Sequence, residues 1–176
     1  EGVTWTWNGD LSAINRLRFH PSVSDLALAA ADNGLWRSTD GGSHWTRVMT
    51  TSRVSDLALA SDGSATALSG GLAWRSTDDG QTWQPLTTTP IERLFTLGLS
   101  ADGAGLFGAA DKHLYRYDAT AGEFVTVTTQ PPLSHILRIA PSPTYGSDQT
   151  LLVGTEDGVW RSTDGGQTFV RSAGFA

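Results

Sequence analysis

A ten-residue string that occurs three times with little change is the strongest constraint on this chain. It reads WRSTDGGSHW at 36–45, WRSTDDGQTW at 74–83 and WRSTDGGQTF at 160–169. A degenerate fourth copy, LYRYDATAGEF, spans 114–124 and keeps an aromatic residue, an arginine and a second aromatic residue in order. The copies follow one another at about 40 residues, and a fixed period of that size is typical of repeat architectures in which each copy is one structural unit.

An alternating apolar segment precedes each copy and is stopped by Asp, Gly or Pro: LRFHPSVSD, SDLALASDG, FTLGLSADG and LRIAPSPTYGSD. The last unit then resolves into four strand-like segments, HILRIAP, TLLVGTEDG, VWRSTDGG and QTFVRS, joined by turns that contain glycine. A four-stranded sheet cannot bury both of its apolar faces alone, so successive units must stack face to face. The sequence therefore predicts an all-β chain, a β-propeller with four complete blades of four antiparallel strands.

The repeat also predicts how the chain is organised. We expect one domain over residues 1–176, with an orphan outer strand at 1–8 and blades at about 12–49, 50–88, 89–129 and 130–173. The orphan segment GVTWTW resembles the end of a repeat unit, and its Trp5 and Trp7 alternate as strand residues do. Four blades and half of another leave sheet faces exposed. We expect a piece of a longer propeller or a ring that another copy of the chain completes.

Composition excludes several classes of partner. The 176 residues include 20 glycines and 39% hydrophobic residues, and the formal net charge is −6. Without a run of Lys or Arg we expect no binding to nucleic acid. No apolar run approaches the ~20 residues of a membrane helix, so no membrane insertion is expected. Cysteine is absent. The chain opens at Glu1 without a signal-like segment, which indicates a processed or excised protein, and we expect an extracellular or periplasmic location rather than a cytoplasmic one.

The STDGG part of the repeated string falls between the third and fourth strands of its unit, where a hairpin loop is required. Aspartate can accept hydrogen bonds from loop N–H groups, glycine can adopt a positive φ, and serine adds a hydroxyl group. The aromatic residue that follows is expected to fold under the hairpin. The predicted structural residues are Ser38, Asp40, Gly42, Trp45, Ser76, Asp78, Gly80, Trp83, Ser162, Asp164, Gly166 and Phe169.

The string STDDGQTW at 76–83 fits the pattern S-x-D-x-G-x-T-W and resembles the Asp-box, or BNR repeat. Asp-boxes occur in β-propellers such as sialidases, xyloglucan-degrading glycoside hydrolases, sortilin-type receptors and photosystem II assembly and stability factors. The resemblance implies a propeller fold, with the boxes on the side opposite the active site, so their aspartates are expected to be structural. The third unit departs from the pattern, because Tyr117 and Asp118 replace the STD arrangement.

Catalytic residues of the related enzymes are not recognisable. A sialidase resembling this family carries an arginine triad, a Tyr–Glu pair and an F/Y-R-I-P motif, and that motif is missing here. Arg37, Arg75, Arg116 and Arg161 recur with the repeat, which indicates a scaffold role. A glycosidase also needs two carboxylates roughly 5–10 Å apart, whereas the only carboxylates besides the turn aspartates are Glu1, Glu92, Glu123 and Glu156. We expect no enzymatic activity.

Three charged residues are candidates for a ligand-binding face opposite the repeated loops. Glu92 and Arg93 precede the innermost strand of the third unit, and Arg53 occupies the equivalent place in the second. The arginines would recognise an anionic or peptide ligand. The four histidines, His20, His44, His113 and His135, stand at dissimilar repeat positions. We therefore expect neither a metal site nor a cofactor.

Two functions of different classes remain open. The first is a non-catalytic propeller scaffold that mediates protein or other macromolecular contacts. The second is a fragment of an Asp-box glycoside hydrolase, sialidase-like or xyloglucanase-like, or a carbohydrate-binding propeller. Activity on sialosides or xyloglucan distinguishes them.

Overall fold

The computed structural model describes residues 11–50, 53–88, 94–127 and 134–173. Within them, consecutive strands fall into four groups, which we call blades 1 to 4. Blade 1 contains β1 (Ile14–Phe19), β2 (Ala27–Ala31), β3 (Gly34–Ser38) and β4 (Thr46–Met49); blade 2 contains β5 (Val54–Leu59), β6 (Ala65–Ser69), β7 (Leu72–Ser76) and β8 (Gln84–Pro85); blade 3 contains β9 (Thr96–Leu99), β10 (Leu106–Ala110), β11 (His113–Asp118) and β12 (Glu123–Thr126); blade 4 contains β13 (Ile136–Pro141), β14 (Leu151–Thr155), β15 (Gly158–Ser162) and β16 (Val170–Arg171).

Each blade is an antiparallel meander in which spatial order follows chain order. The first strands pack in sequence, β1 on β5, β5 on β9 and β9 on β13. Alternation along each strand places apolar side chains on both faces of the sheet, so each blade buries its faces against its neighbours. The molecule is a partial β-propeller of four blades, which confirms the predicted fold class.

The innermost strands share an irregularity that the sequence did not reveal. The register shifts between Ile14 and Arg16 in β1, and the same shift recurs in β5 before Asp56 and in β13 before Arg138. A bulge of this kind places two residues opposite one on the partner strand and redirects the side chain that follows. We call Arg16, Asp56 and Arg138 the bulge residues, and in blade 3 Thr96 has the same register.

Apolar side chains fill the spaces between blades. The cluster between blades 1 and 2 contains Leu28, Ala30, Leu35, Met49, Val54, Leu57, Ala65 and Ala67, with Trp74 and Trp83 packed against it. The cluster between blades 3 and 4 contains Phe107, Ala109, Leu114, Ile136, Ile139, Tyr145, Leu151 and Val153. Because these clusters lie between sheets, the hydrophobic driving force for folding acts mainly through blade stacking.

A buried carboxylate joins three of the blades. Asp56 is 1% exposed. Its Oδ1 accepts a hydrogen bond from Arg16 Nε of blade 1 at 2.6 Å, and its Oδ2 accepts one from the Leu97 N–H of blade 3 at 2.8 Å. A buried charge needs both a counter-ion and hydrogen bonds. Asp56 obtains them only when blades 1, 2 and 3 are stacked in register.

The outward faces of blades 1 and 4 each expose an apolar side chain that the inner blades bury. Leu152 of β14 is 39% exposed, although Leu28 and Phe107, which hold its register position in blades 1 and 3, are fully buried. On the opposite side, Leu17 of β1 is 47% exposed, whereas its counterpart Leu57 is 1% exposed. Near Leu17, however, Ala29 and Ala31 are fully buried and Trp36 is 9% exposed, so the outward face of blade 1 is only partly exposed.

Two local features differ from expectation. A short helix, α1 (Tyr145–Asp148), interrupts the loop between β13 and β14. Its buried Tyr145 meets Phe107 edge-on at 5.3 Å between ring centroids. The sequence also favours outer strands that begin at Trp45, Trp83 and Phe169, whereas these strands begin one residue later. The predicted orphan strand 1–8, with Trp5 and Trp7, lies outside the described residues.

We predict that Asp56→Ala lowers the free energy of unfolding by about 3 kcal/mol, because it leaves the Arg16 guanidinium and the Leu97 N–H without their buried acceptor. The matched control is Asp157→Ala in the exposed turn before β15, which should change stability by less than about 0.5 kcal/mol. Urea denaturation followed by tryptophan fluorescence measures both. Equal stabilities of the two variants would show that Asp56 does not join the blades.

Candidate functional site

The three repeated hairpin loops, 38–45, 76–83 and 162–169, share one set of hydrogen bonds; we call them the repeat loops. In the second, Ser76 Oγ donates to Asp78 Oδ1 at 2.7 Å and accepts from the Gly80 N–H at 3.0 Å. Asp78 Oδ1 also accepts from the Thr82 N–H at 2.9 Å, and its Oδ2 from Thr82 Oγ1 at 2.6 Å. The aspartate thus satisfies the donors of its own loop and has little capacity left for a substrate.

The other two repeat loops reproduce this arrangement although each differs from the second at one of the bonding side chains. In the first, His44 replaces threonine, and its Nδ1 lies 2.6 Å from Asp40 Oδ2. In the third, Phe169 replaces tryptophan and so lacks the indole N–H that Trp45 and Trp83 donate to Gly42 and Gly80 carbonyls. Asp164 still accepts from Ser162 and Thr168. The common geometry rests on the Ser–Asp pair and not on the aromatic residue.

Hydrogen bonding lowers the pKa of each repeat-loop aspartate to about 2. The largest contributions come from the His44 backbone N–H for Asp40 and from the threonine hydroxyl groups of Thr82 and Thr168 for Asp78 and Asp164. These groups are ionised at any physiological pH. A catalytic acid would need the opposite shift, toward neutrality, so the repeat loops are unsuited to general acid catalysis.

The repeat loops also contact the preceding blade. Arg37 of blade 1 donates from Nε to the Asp79 carbonyl in the loop of blade 2 at 2.8 Å. Arg116 of blade 3 lines a cavity with Gly165 and Gly166 of the blade 4 loop. A Cβ on Gly80 would approach Leu28 of blade 1 to 2.7 Å, so glycine is needed there for close packing as well as for its φ of +76°. This rim of the propeller is built from contacts between blades.

The opposite rim contains one described member of the predicted ligand face. Arg53 lies there, before β5, and its Nε is 3.3 Å from Asp32 Oδ1 in the turn between β2 and β3. Arg53 also donates from Nη2 to Asn15 Oδ1 at 3.3 Å. Its side chain is still 64% exposed. Glu92 and Arg93, the other two predicted members, lie outside the described residues, so the grouping of the three stays a prediction.

On the same rim, a depression of about 420 Å³ lies between blades 2, 3 and 4. It is lined by Ser55, Leu94, Phe95, Asp111 and His135. His135 Nδ1 lies 2.8 Å from Asp111 Oδ1, and the His135 ring stacks on Phe95 with centroids 6.4 Å apart and planes 25° apart. We call this the rim depression. It combines an apolar floor with a half-exposed Asp–His pair.

Sequence reasoning missed Phe95 and Asp111 and treated His135 as an isolated histidine. The signal that could have identified this pair is the equivalent position of its residues in successive repeats. Asp32 and Asp111 each lie in the turn after the second strand of a blade, and Arg53 and His135 each precede the first strand of the next blade. The two ion pairs therefore repeat one acid–base arrangement between successive blades, which the separate sequence motifs do not display.

The described lining of the rim depression contains one carboxylate, that of Asp111, whereas both mechanisms of glycoside hydrolysis need two. Among the described ranges, no three His, Cys, Asp or Glu side chains are placed to share a metal ion. The depression offers an apolar floor and the hydrogen-bonding groups of the Asp111–His135 pair, which suit binding.

The inner strands contribute a second set of charges. Arg18 and Arg138 each donate to the carbonyl of the residue before them, Leu17 and Leu137, and neither forms an ion pair within the described part of the chain. Burial, Arg16 and Arg138 lower the pKa of Arg18, against an opposing effect of Asp56.

Comparison with known proteins supports the propeller fold. An ancestral GH74 enzyme aligns over 94% of this chain and 25% of its own with a TM-score of 0.72 and 15% identity. YCF48 bound to D1 peptide aligns over 90% of this chain and 52% of its own, with a TM-score of 0.65 and 15% identity. The extracellular domain of a putative one-component system from B. thetaiotaomicron aligns over 94% and 22%, with a TM-score of 0.68 and 15% identity.

These neighbours include enzymes and a peptide-bound protein, so the fold alone leaves the activity undetermined. The chain spans between about a fifth and about half of their lengths. No family model and no curated protein matches the sequence. Within the described ranges, none of the helical segments has the length and apolar character needed to cross a bilayer.

We predict that the repeat-loop aspartates make stability fall between pH 4 and pH 2. Their folded pKa of about 2 is below the ordinary 3.8, so the stability they contribute is complete above pH 4 and is lost as the pH falls toward 2. The triple variant Asp40→Asn, Asp78→Asn, Asp164→Asn should be less stable at pH 6 and should lose less stability on acidification. Urea denaturation at pH 6, 4, 3 and 2.5 measures this; parallel pH profiles would contradict it.

Proposed function

We propose that this chain is a non-catalytic propeller module that binds a protein segment at the rim depression. The observation that carries the proposal is the arrangement of Phe95, Asp111 and His135 described above. Leu94 and Phe95 can receive an apolar side chain, and the Asp111–His135 pair, about half exposed, can exchange hydrogen bonds with a peptide backbone. The YCF48 structure with a bound peptide shows that a similar fold accommodates such a ligand.

The repeat loops take a structural part in this proposal. We propose that they are Asp-boxes whose serine and aspartate hold the hairpin between the third and fourth strands. The self-contained hydrogen bonding of Asp40, Asp78 and Asp164 supports this assignment. Their rim then serves blade stacking, and ligand binding is confined to the other rim. We expect the module to work in an extracellular or periplasmic setting, as the extracellular neighbour suggests.

A second candidate is carbohydrate binding, with or without hydrolysis. The ring planes of Phe95 and His135, 25° apart, form a surface on which a sugar ring could stack. The GH74 neighbour makes this the leading alternative. Hydrolysis would require a second carboxylate beside Asp111, and Glu92 precedes the same blade as Phe95 in the sequence.

We predict that peptides selected from a random dodecapeptide display library against the wild-type chain bind about tenfold more weakly, or ~1.4 kcal/mol, to Phe95→Ala and to His135→Ala. The control is Gln167→Ala in the third repeat loop, on the opposite rim, which should bind the peptides as the wild type does. Unfolding midpoints confirm that each variant is folded. Failure to select any peptide, or equal binding by Phe95→Ala, contradicts the proposal.

Charge reversal tests the wider ligand face. Arg53→Glu combined with Arg93→Glu should weaken binding of the acidic members of the selected peptides while leaving neutral ones unchanged, because both arginines would act by charge. A panel of xyloglucan oligosaccharides and sialosides is assayed in parallel. Release of reducing sugar or sialic acid by the wild-type chain would replace the proposal with the glycoside hydrolase alternative.

A further inference from the structure

Blade 1 contacts blade 2 through hydrogen bonds of two arginines, which lie on either side of an apolar cluster. At the inner strand, the bulge residue Arg16 binds the Asp56 carboxylate. At the third strand, Arg37 binds the carbonyl of Asp79 in the repeat loop. Leu28 and Leu35 lie between them and are fully buried against blade 2. Complementary charges of this kind fix which blade follows and in which register.

Blade 4 presents the same pattern on its open face. Arg138 lies opposite Gly154 in the register that Arg16 has with Ala30, and Arg161 lies opposite Leu152 in the register that Arg37 has with Leu28. Both arginines of blade 4 are exposed, and among the described residues neither has a carboxylate partner. We call Arg138, Leu152, Val159 and Arg161 the leading face of blade 4.

The apolar part of this face is exposed only here. At the position of Leu152, the other blades place Leu28, Thr66 and Phe107, each at most 2% exposed. At the position of Val159 they place Leu35, Ala73 and Leu114, each at most 1% exposed, while Val159 is half-buried. In the three internal interfaces, therefore, the same sites are covered by the next blade.

The charges select between two candidate occupants. A second copy of this chain would offer blade 1, whose bulge residue is Arg16, so that Arg138 would face another arginine. A blade with a carboxylate at this position, as blade 2 has in Asp56, would instead pair with Arg138. Like charges across an interface oppose association.

We propose that the leading face of blade 4 docks a further propeller blade, contributed by sequence outside these 176 residues, whose innermost strand carries a carboxylate at the bulge position. Arg138 binds that carboxylate and Arg161 donates to a carbonyl of that blade's hairpin loop. Leu152 and Val159 pack against its first and second strands. The matched solved structures are longer than this chain, which covers 25% of the GH74 enzyme and 52% of YCF48.

The test uses the absence of cysteine in the chain. Leu152→Cys places one thiol on the leading face, and maleimide labelling measures its accessibility. The full chain carrying this change is extended by a second copy of its own residues 50–88, which supplies an appended blade 2 with its aspartate. Labelling should become at least about tenfold slower than in the chain without the extension.

The matched control is the same fusion with Asp56→Arg in the appended copy only, which keeps every apolar contact and reverses the bulge charge. Its thiol should label as fast as in the unextended chain. Adding Arg138→Asp to this control should restore protection. Rapid labelling in the parent fusion, or equal protection with Asp56→Arg, overturns the proposal. Labelling of the unextended chain that slows with rising protein concentration also overturns it, because the occupant would then be a second copy.

Discussion

A four-stranded antiparallel sheet with apolar side chains on both faces is unstable alone, and every other feature of this chain follows from that constraint. The blades here solve it by stacking, and the buried Asp56 makes the stacking specific, because its carboxylate finds all its partners only when three blades are in register. At the repeat-loop rim, Arg37 also favours stacking in register, because it donates a hydrogen bond to the Asp79 carbonyl of the next blade. Stability and register thus arise between the blades.

The two rims of the propeller differ in whether their polar groups are already hydrogen-bonded or remain exposed. At the repeat-loop rim, Ser, Asp and Gly satisfy one another and the neighbouring blade, which leaves few groups free for a ligand. At the opposite rim, the acid–base pairs between blades stay half exposed, and Phe95 and His135 form an open stacked surface. A rim whose polar groups are already hydrogen-bonded within the protein suits a structural role. A rim with exposed apolar and charged groups suits ligand binding.

The sequence predicts the features of this fold that lie within one repeat. Strand alternation and the STDGG loop are local, so the four-stranded blades could be foreseen from the spacing of Trp36, Trp74 and Trp160. The inner-strand bulge could not, because nothing in LRF or SDLAL marks an extra residue. Asp56, however, interrupts an apolar strand, and a charge at such a place indicates a buried partner. That signal was available and was overlooked.

The rim depression was beyond sequence reasoning for a different reason. Phe95, Asp111 and His135 come from two blades and three loops, and only the rotation from one blade to the next brings them together. The short helix that seats Tyr145 beside Phe107 likewise depends on contact between blades. Features that depend on the angle between sheets are not encoded in any single motif.

Native-state hydrogen exchange tests most directly whether stacking is the source of stability. β6 of blade 2 and β14 of blade 4 are both second strands, hydrogen-bonded on both sides, but only β6 lies in a blade covered on both faces. The account predicts that the amides of Leu68 and Ala67 exchange more slowly than those of Leu152 and Val153, by the difference in free energy between opening an inner blade and opening a terminal one. Equal exchange in β6 and β14 would contradict it, because each blade would then be stable by itself.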